Sequence, residues 1–425
     1  MARRGPGPSR WRPGARSGCS AGPGIAWRTR TKSSLRPSKP WRFGRGEGFE
    51  ENPRMRICID VSASVHGRAG IGRYTEELTA ALAAAAPEHD FMAFYNRPAD
   101  AAPAAALARL PRLTVPWGDK PWRLRVLLAH LLRRRQDDLF PGVDLFHGTD
   151  HLLPRLGGIP SVFTLYDLTY LLTAQAHTTL NRLYLTLMMP RFLAAARSVI
   201  VISQSTRRDM LERYRVDERK VHVVRGGVSR RFCPAPADEI AAVRRKCGLP
   251  ERFILAVGTI EPRKNYATLL MAYRTLRERG ETVGMVIAGK QGWRAEAFFR
   301  QLHDLGLEEQ VRLLGRVADA DLPALYSAAE VFAFPSLYEG FGLPPLEAMA
   351  CGTAVVASNT SSLPEVVGDA GLLVEPRDAG GLAMALERVL TDAGLAADLR
   401  DRGQAQAQRF TWEAAARATL QVYQL

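Results

Sequence analysis

The chain is 425 residues long, 46% hydrophobic and 24% charged, with a formal net charge of +15. Its length exceeds one ordinary hydrophobic core and points to two domains, and no apolar run reaches the roughly 18 residues that a membrane span needs. The charge does not mark a nucleic-acid partner: residues 1–54 carry 13 Lys/Arg against 3 Asp/Glu, a net of +10, which leaves +5 for residues 55–425 and no basic stripe on a folded element.

Residues 1–54 are rich in Gly, Pro, Arg and Ser and show no helical or strand periodicity. They read either as a disordered basic arm or as residues preceding the true start at Met55, where an apolar strand begins at once. The second reading is preferred. From Arg56 onward strands and helices alternate. Strands are expected over residues 56–61, 91–95, 113–116, 143–147, 161–166, 198–203 and 221–224. Helices are expected over residues 73–85, 123–135 and 180–196, with a further helix capped by Ser205. Residues 230–250, with Pro234, Pro236 and Pro250, read as a connection.

The second half repeats the pattern. Strands fall at residues 253–257, 284–288, 311–314, 331–335, 354–357 and 371–374. Asn265 is the expected N-cap of a helix that stops at Gly280, and a last helix starts near Trp412. Short apolar strands separated by amphipathic helices imply parallel sheets covered on both faces. The expected architecture is α/β: two Rossmann-like, doubly wound parallel-sheet domains, residues 55–232 and 251–410, facing a cleft. Residues 233–250 link them and residues 411–425 form a C-terminal helix. Ligands belong at the carboxyl ends of the strands. The five cysteines (Cys19, Cys58, Cys233, Cys247 and Cys351) are odd in number and form no C-x-x-C pair. This argues against a disulfide framework or zinc site and for a reducing cytoplasm.

Three segments carry chemistry. Gly67, Gly70 and Gly72 lie between the first strand and its helix. Glycines there allow close backbone approach, and the helix N-terminus behind them suits a phosphate. Arg263 and Lys264 follow the strand at 253–257, where two cations suit a diphosphate. The third segment runs Glu339-Gly340-Phe341-Gly342-Leu343-Pro344-Pro345-Leu346-Glu347 and ends at Gly352. Pro344 and Pro345 suit a helix start, which places Glu347 in its first turn, where the dipole favours a carboxylate. The two glutamates are expected to face Arg263 and Lys264 and to hold sugar and ribose hydroxyls.

This third segment, with Glu261-Pro262-Arg263-Lys264-Asn265 before it, resembles the retaining nucleotide-sugar glycosyltransferases of the GT-B fold. Within them it is most similar to family 4 (glycosyltransferase group 1), in its bacterial mannosyltransferase-like branch. Asn359-Thr360-Ser361-Ser362-Leu363-Pro364-Glu365-Val366, Gly368-Asp369-Ala370 and Phe410-Thr411-Trp412-Glu413 add to the resemblance, which spans Met55 to Tyr423. It implies that Arg263 and Lys264 bind and stabilise the leaving diphosphate. Glu339 would contact the donor sugar, and Glu347 the ribose. Gly315, Arg316 and Val317 would line the base pocket, Leu343 would help hold phosphate, and Gly340, Phe341 and Gly342 would shape the donor loop. Gly72 would let the first domain approach the diphosphate.

The resemblance also implies a nucleotide-sugar donor, with GDP-mannose the leading candidate, and a glycan or lipid-linked acceptor. No metal or other cofactor is implied, because the cations take a metal's place. Rivals on the same fold are a nucleotide-sugar epimerase and a catalytically impaired sugar-nucleotide-binding protein.

Two positions depart from the pattern. Tyr166-Asp167 stands where relatives place His-Asp, and Arg225-Gly226-Gly227-Val228 where they often have Asn-Gly. Tyr166, Asp167 and His147 are candidate sugar or acceptor contacts, with a structural role equally open for His147. Residues 117–135 form a further candidate. Leu124, Leu127, Leu128, Leu131 and Leu132 share one helical face ringed by arginines, with Trp117 and Trp122 before it. Such a helix either packs on the core or docks at the inner face of an anionic membrane.

Overall fold

The computed structural model describes residues 54–97, 104–173 and 178–425. The expectations for residues 1–53 lie outside the described residues. The first half contains β1 (Arg56–Asp60), α1 (Ser62–Val65), α2 (Ala69–Ala85), β2 (Asp90–Asn96), β3 (Arg112–Val115), α3 (Asp119–Leu131) and β4 (Leu145–Gly148). It continues through β5 (Ser161–Leu165), α4 (Thr169–Leu172), α5 (Thr179–Ala195), β6 (Ser198–Val201), α6 (Gln204–Arg213) and β7 (Val221–Val223).

The second half contains α7 (Ala237–Cys247), β8 (Phe253–Val257), α8 (Tyr266–Glu278), β9 (Gly284–Ala288), α9 (Glu296–Asp304), β10 (Val311–Gly315) and α10 (Leu322–Ser327). It continues through β11 (Val331–Phe334), α11 (Leu343–Ala350), β12 (Ala354–Ser358), α12 (Leu363–Val367), β13 (Leu372–Val374), α13 (Ala379–Thr391), α14 (Ala393–Ala407) and α15 (Trp412–Gln424).

The strands form two sheets, ordered β3-β2-β1-β4-β5-β6-β7 and β10-β9-β8-β11-β12-β13. Neighbours pair in parallel, as β1 does with β2 and β4, and β8 with β9 and β11. Both orders reverse beside their first strand. The crevices at β1/β4 and β8/β11 are therefore the topological switch points where α/β sheets hold ligands. The central strands are buried on both faces, with Ile57, Ile59, Ile254 and Leu255 inaccessible, as helix-covered parallel sheets require.

Several boundaries differ from expectation for tertiary reasons. Helix α2 starts at Ala69 and absorbs Gly70 and Gly72 instead of following them, leaving only Gly67 before it. A Cβ on Gly72 would lie 2.8 Å from the Ala63 carbonyl oxygen, so this glycine packs α2 on α1 and does not form an open phosphate loop. Ser203, not Ser205, caps α6, its hydroxyl accepting from the Thr206 N–H at 3.0 Å. Asn265 does precede α8, but with φ of 57° and no capping bond. Its side-chain amide instead donates to Pro335 O at 2.9 Å and Pro376 O at 2.6 Å. Helix α3 ends at Leu131, short of the expected 135, and Arg133 then turns with φ of 55°.

Helix α15 returns to the first sheet. Trp412 meets Tyr74 edge to face at 5.3 Å, and the Tyr423 hydroxyl lies 2.7 Å from His147 Nδ1. The other His147 nitrogen is 2.8 Å from Thr164 Oγ1. His147 is inaccessible and is therefore no sugar contact: it ties the C-terminal helix to β4 and β5. Where the chain crosses over, a Cβ on Gly227 would lie 2.4 Å from Trp412 N. Gly227 therefore has to be a glycine, whereas nothing in the structure explains the departure from Asn-Gly before it.

Burial pushes the His147 imidazole down to about 3 from its usual 6.5. A depressed histidine makes the fold lose stability as pH falls from 6.5 toward 3. Tyr423→Phe should lower stability by about 1 kcal/mol, read as a shifted urea midpoint. An unchanged midpoint would show that this bond does not hold α15.

Candidate active site

The site grows from the loop after β11. Its backbone is pinned on both sides: the Leu337 N–H donates to Arg263 O at 2.9 Å, and the Glu339 N–H donates to Ser361 Oγ at 2.9 Å. The Ser362 hydroxyl bridges Glu339 O and Phe341 O at 3.0 and 2.5 Å. The Ser361-Ser362 pair thus fixes where Glu339 points.

The Glu339 carboxylate meets Lys264 Nζ at 2.7 Å and Arg263 Nη1 at 2.7 Å. Arg263 also binds Glu261 at 2.7 Å and donates to Tyr338 O at 3.0 Å. Lys264 Nζ sits 4.6 Å from the Phe334 ring centre. Burial pushes the Glu339 carboxyl up, but Arg263 and Lys264 outweigh it and hold it at about 2. Burial lowers Lys264; Glu339 opposes that shift, and Arg263 adds to it. Burial also disfavours the Arg263 charge, yet Glu339, Glu261 and Asp167 raise its pKa. Two basic side chains at the carboxyl edge of β8 therefore lie in a water-poor site, paired with carboxylates.

Glu347 does not face this pair, contrary to the sequence expectation. It is the fifth residue of α11, in the second turn, where the helix dipole has faded. Its carboxylate accepts from Tyr326 Oη at 3.0 Å and from Arg73 Nη1. Burial raises its pKa, against Arg73 and Tyr326. Arg73 belongs to α2 of the first sheet's domain, and its other nitrogen meets Asp319 at 3.0 Å. The pair therefore crosses the cleft.

Of the other expected donor-loop residues, Gly342 (φ 122°) precedes α11 and Leu343 begins it. The Phe341 ring is buried against Phe410 at 5.8 Å, so its side chain packs. A Cβ on Gly340 would lie 2.3 Å from Tyr166 O, which makes this glycine a point of close approach between the two halves. Gly315 ends β10 in the left-handed region (φ 64°), followed by exposed Arg316 and half-buried Val317.

Tyr166 turns away from the cleft. Its hydroxyl donates to Thr149 O at 2.6 Å and is buried, which corrects the expectation of a sugar contact. Asp167 accepts from the Thr169 N–H at 3.0 Å while its charge reaches Arg263.

Sequence reasoning missed a second cluster, at the carboxyl edge of β1 and β4. Arg68 Nη1 grips Asp150 at 2.6 and 2.8 Å, and Asp60 accepts from the Ser62 N–H at 2.9 Å. His151 stands edge to face on Tyr166 at 6.1 Å. Arg68 and Arg73 lie within the glycine-rich stretch, which reads for its backbone, so their side chains go unweighed. Asp60 lies near the end of one predicted strand and Asp150 follows another, and that position was the available signal.

Burial and the Asp150 charge push Asp60 up to about 7 from its usual 3.8. The folded state holds this proton, so stability is lost as pH rises from 3.8 through about 7. Asp60→Asn cannot ionise. Its melting temperature relative to the parent should climb between about pH 5 and about pH 8. An equal difference at both would mean that Asp60 does not titrate there.

Among the described residues no group of three His, Cys, Asp or Glu side chains is placed to hold a metal, and no helix is long and apolar enough to cross a membrane. Residues 68–232 match the family model for glycosyltransferase family 4, and residues 241–406 that for glycosyl transferases group 1. The chain is 31% identical over 391 residues to the O-antigen chain mannosyltransferase B of Escherichia coli, covering 87% of this chain and all of that protein. It is 33% identical over 330 residues to a D-inositol 3-phosphate glycosyltransferase of Salinispora arenicola, covering 71% of this chain and 73% of that one. The fold matches the sucrose-phosphate synthase of Thermosynechococcus elongatus with a TM-score of 0.70 and 26% identity, covering 87% of this chain and 98% of that chain. The chain belongs to glycosyltransferase family 4, in its mannosyltransferase-like branch, and is a GT-B hexosyltransferase that takes its sugar from a nucleotide-sugar donor.

Proposed function

We propose that this glycosyltransferase is retaining and moves mannose or a similar hexose to a glycan or lipid-linked acceptor. The observation that carries this reading is the buried Arg263–Glu339–Lys264 cluster at the carboxyl edge of β8. The donor diphosphate takes over Arg263 and Lys264. Glu339, relieved of part of that pairing, accepts hydrogen bonds from the sugar hydroxyls. Glu347 exchanges Arg73 for the ribose hydroxyls, and Gly315, Arg316 and Val317 lie beside the base. The backbone of residues 340–343 borders the phosphates.

Breaking the sugar–phosphate bond places positive charge on the anomeric carbon and negative charge on the departing diphosphate. Arg263 and Lys264 stabilise that negative charge from fixed positions and need no reorganisation at the moment of reaction. Closure of the cleft aligns the acceptor and excludes water. A retaining glycosidase would attack with a free carboxylate. Glu339, held at about 2 between two cations, is a poor nucleophile. Attack on the same face, assisted by the leaving phosphate, is the consistent route, and a stable glycosyl–enzyme adduct on intact protein would overturn it. Because the two cations meet the diphosphate, donor binding should survive a chelator. The acceptor approaches from the first domain, whose Asp60–Asp150–Arg68 edge adjoins the cleft.

A thermal-shift panel of nucleotide sugars should show GDP-mannose or a close relative raising the melting temperature, and a protein stabilised by none would sink the reading. Lys264→Ala should lower turnover by about 10²- to 10³-fold, the size expected for one lost transition-state charge contact. Glu347→Gln should chiefly weaken donor binding, by about tenfold or more. Unchanged donor affinity in that variant would remove the ribose assignment.

A further inference from the structure

Helices α3 and α5 lie side by side and run in the same direction. Arg123 donates to Asn181 at 3.1 Å and stands 5.1 Å from the Tyr184 ring centre, while further along His130 meets Phe192 at 5.2 Å. Their inner faces are core: Trp122, Val126, Met188 and Phe192 are buried. Their outer faces are also apolar. On α3 and the residue after it, Leu124, Leu128, Leu131 and Leu132 are exposed, and on α5 so are Leu180, Leu183 and Leu187, from 39% at Leu187 to 78% at Leu180. Scattered exposed leucines mean little, but seven on two adjoining helices form a patch of the kind that marks a contact surface. Trp117 and Trp122 are not part of it: Trp122 is buried and Trp117 stacks on it, centres 6.1 Å apart.

The charge around the patch is predominantly positive. Residues 119–135 and 178–197 contain one carboxylate, Asp119, against nine Lys/Arg. Asp119 is already engaged by Arg68 and Asn96. Where α3 ends, Arg133, Arg155 and Arg191 line a cleft of about 370 Å³ beside Leu131. None of these three arginines is ion-paired among the described residues, and Arg155 Nε is buried without a hydrogen-bond partner. Arg191 donates to Leu187 O at 2.6 Å, which turns its guanidinium back along the leucine stripe.

We propose that the outer face of α3 and α5 is a docking surface for an anionic lipid bilayer. The leucines enter the acyl boundary, and the arginine cleft takes a lipid phosphate at the headgroup level. No described helix can span a bilayer, so the contact lies in the interface plane, as amphipathic basic helices do. A second copy of the chain is the wrong occupant, because two faces of the same positive charge repel. Each exposed cation adds attraction to an anionic leaflet that salt screens within a Debye length.

The test is flotation of the full-length protein with vesicles of phosphatidylcholine alone and of phosphatidylcholine with phosphatidylglycerol. The parent should float with the anionic vesicles and stay behind with the neutral ones. The pair Leu128→Glu and Leu183→Glu should reduce the floated fraction by about tenfold or more, with the melting temperature unchanged because both sites are exposed. Arg133→Glu with Arg191→Glu should do the same. The basic residues 1–54 are present in every sample. If they drive binding, the variants will float as well as the parent, and the proposal fails. It fails also if the parent does not float, or if it floats equally with neutral vesicles. A parent that elutes as a dimer without vesicles, with the leucine variants monomeric, would assign the face to self-association instead.

Discussion

Everything at the catalytic edge depends on how Glu339 is compensated. A buried carboxylate without partners costs several kcal/mol after relaxation, and so does each buried cation. Arg263 and Lys264 offset that cost only because both reach Glu339 at 2.7 Å. The geometry in turn relies on groups that carry no charge. Ser361 and Ser362 pin the loop, and Asn265 joins Pro335 to Pro376 across the mouth of the site. A site assembled in this way is preorganised before any ligand arrives. Fixed charges of this kind can stabilise a transition state without first being moved.

The two halves of the molecule meet through two different chemistries. Around the cleft the contacts are polar: Arg73 with Glu347 and Asp319, Tyr338 with Asp209 at 2.5 Å, and Glu365 receiving the Gln204 and Ser205 N–H groups. Such bonds exchange with water at a net change of only about 1 kcal/mol each. At the crossover the contacts are apolar and tight, with Trp412 on Tyr74 and Gly227 against the backbone of Trp412. One edge can open while the other holds. That division suits an enzyme that must admit a donor and then close over it.

The fold was legible because the strands are apolar runs and the helices amphipathic, and both signals survive in a single sequence. The helix starts were less so. Ser203 and Ser205 are both good capping residues, and only the backbone around them decides which one serves. Asn265 has capping chemistry, but its amide is recruited by two proline carbonyls more than 60 residues away. In the site, Glu339, Arg263 and Lys264 were legible as residue types at a sheet edge. The partner of Glu347 was not, because Arg73 lies 274 residues earlier and no local pattern links them. The bulky or conformationally special residues misled in the same direction. Phe341, His147 and Gly72 sit in or near chemistry-bearing strings, yet packing explains the side chain of Phe341, the imidazole of His147 and the missing Cβ of Gly72.

The same charge balance bears on how the site would take a donor. Burial works against Lys264 as a cation, and Glu339 opposes that shift without reversing it. A diphosphate brings more negative charge to the same two cations than one carboxylate can. On the proposed reading it therefore competes well for Arg263 and Lys264, and Glu339 keeps enough of their field to remain ionised beside the sugar. Arg73 completes the symmetry from the other domain. It pairs with Glu347, and on the proposed reading Asp319, which holds its second nitrogen at 3.0 Å, keeps Arg73 compensated when ribose hydroxyls replace it at Glu347. Glu339, Arg263, Lys264, Glu347 and Arg73 each have a partner of opposite charge, as burial in a low-dielectric site requires.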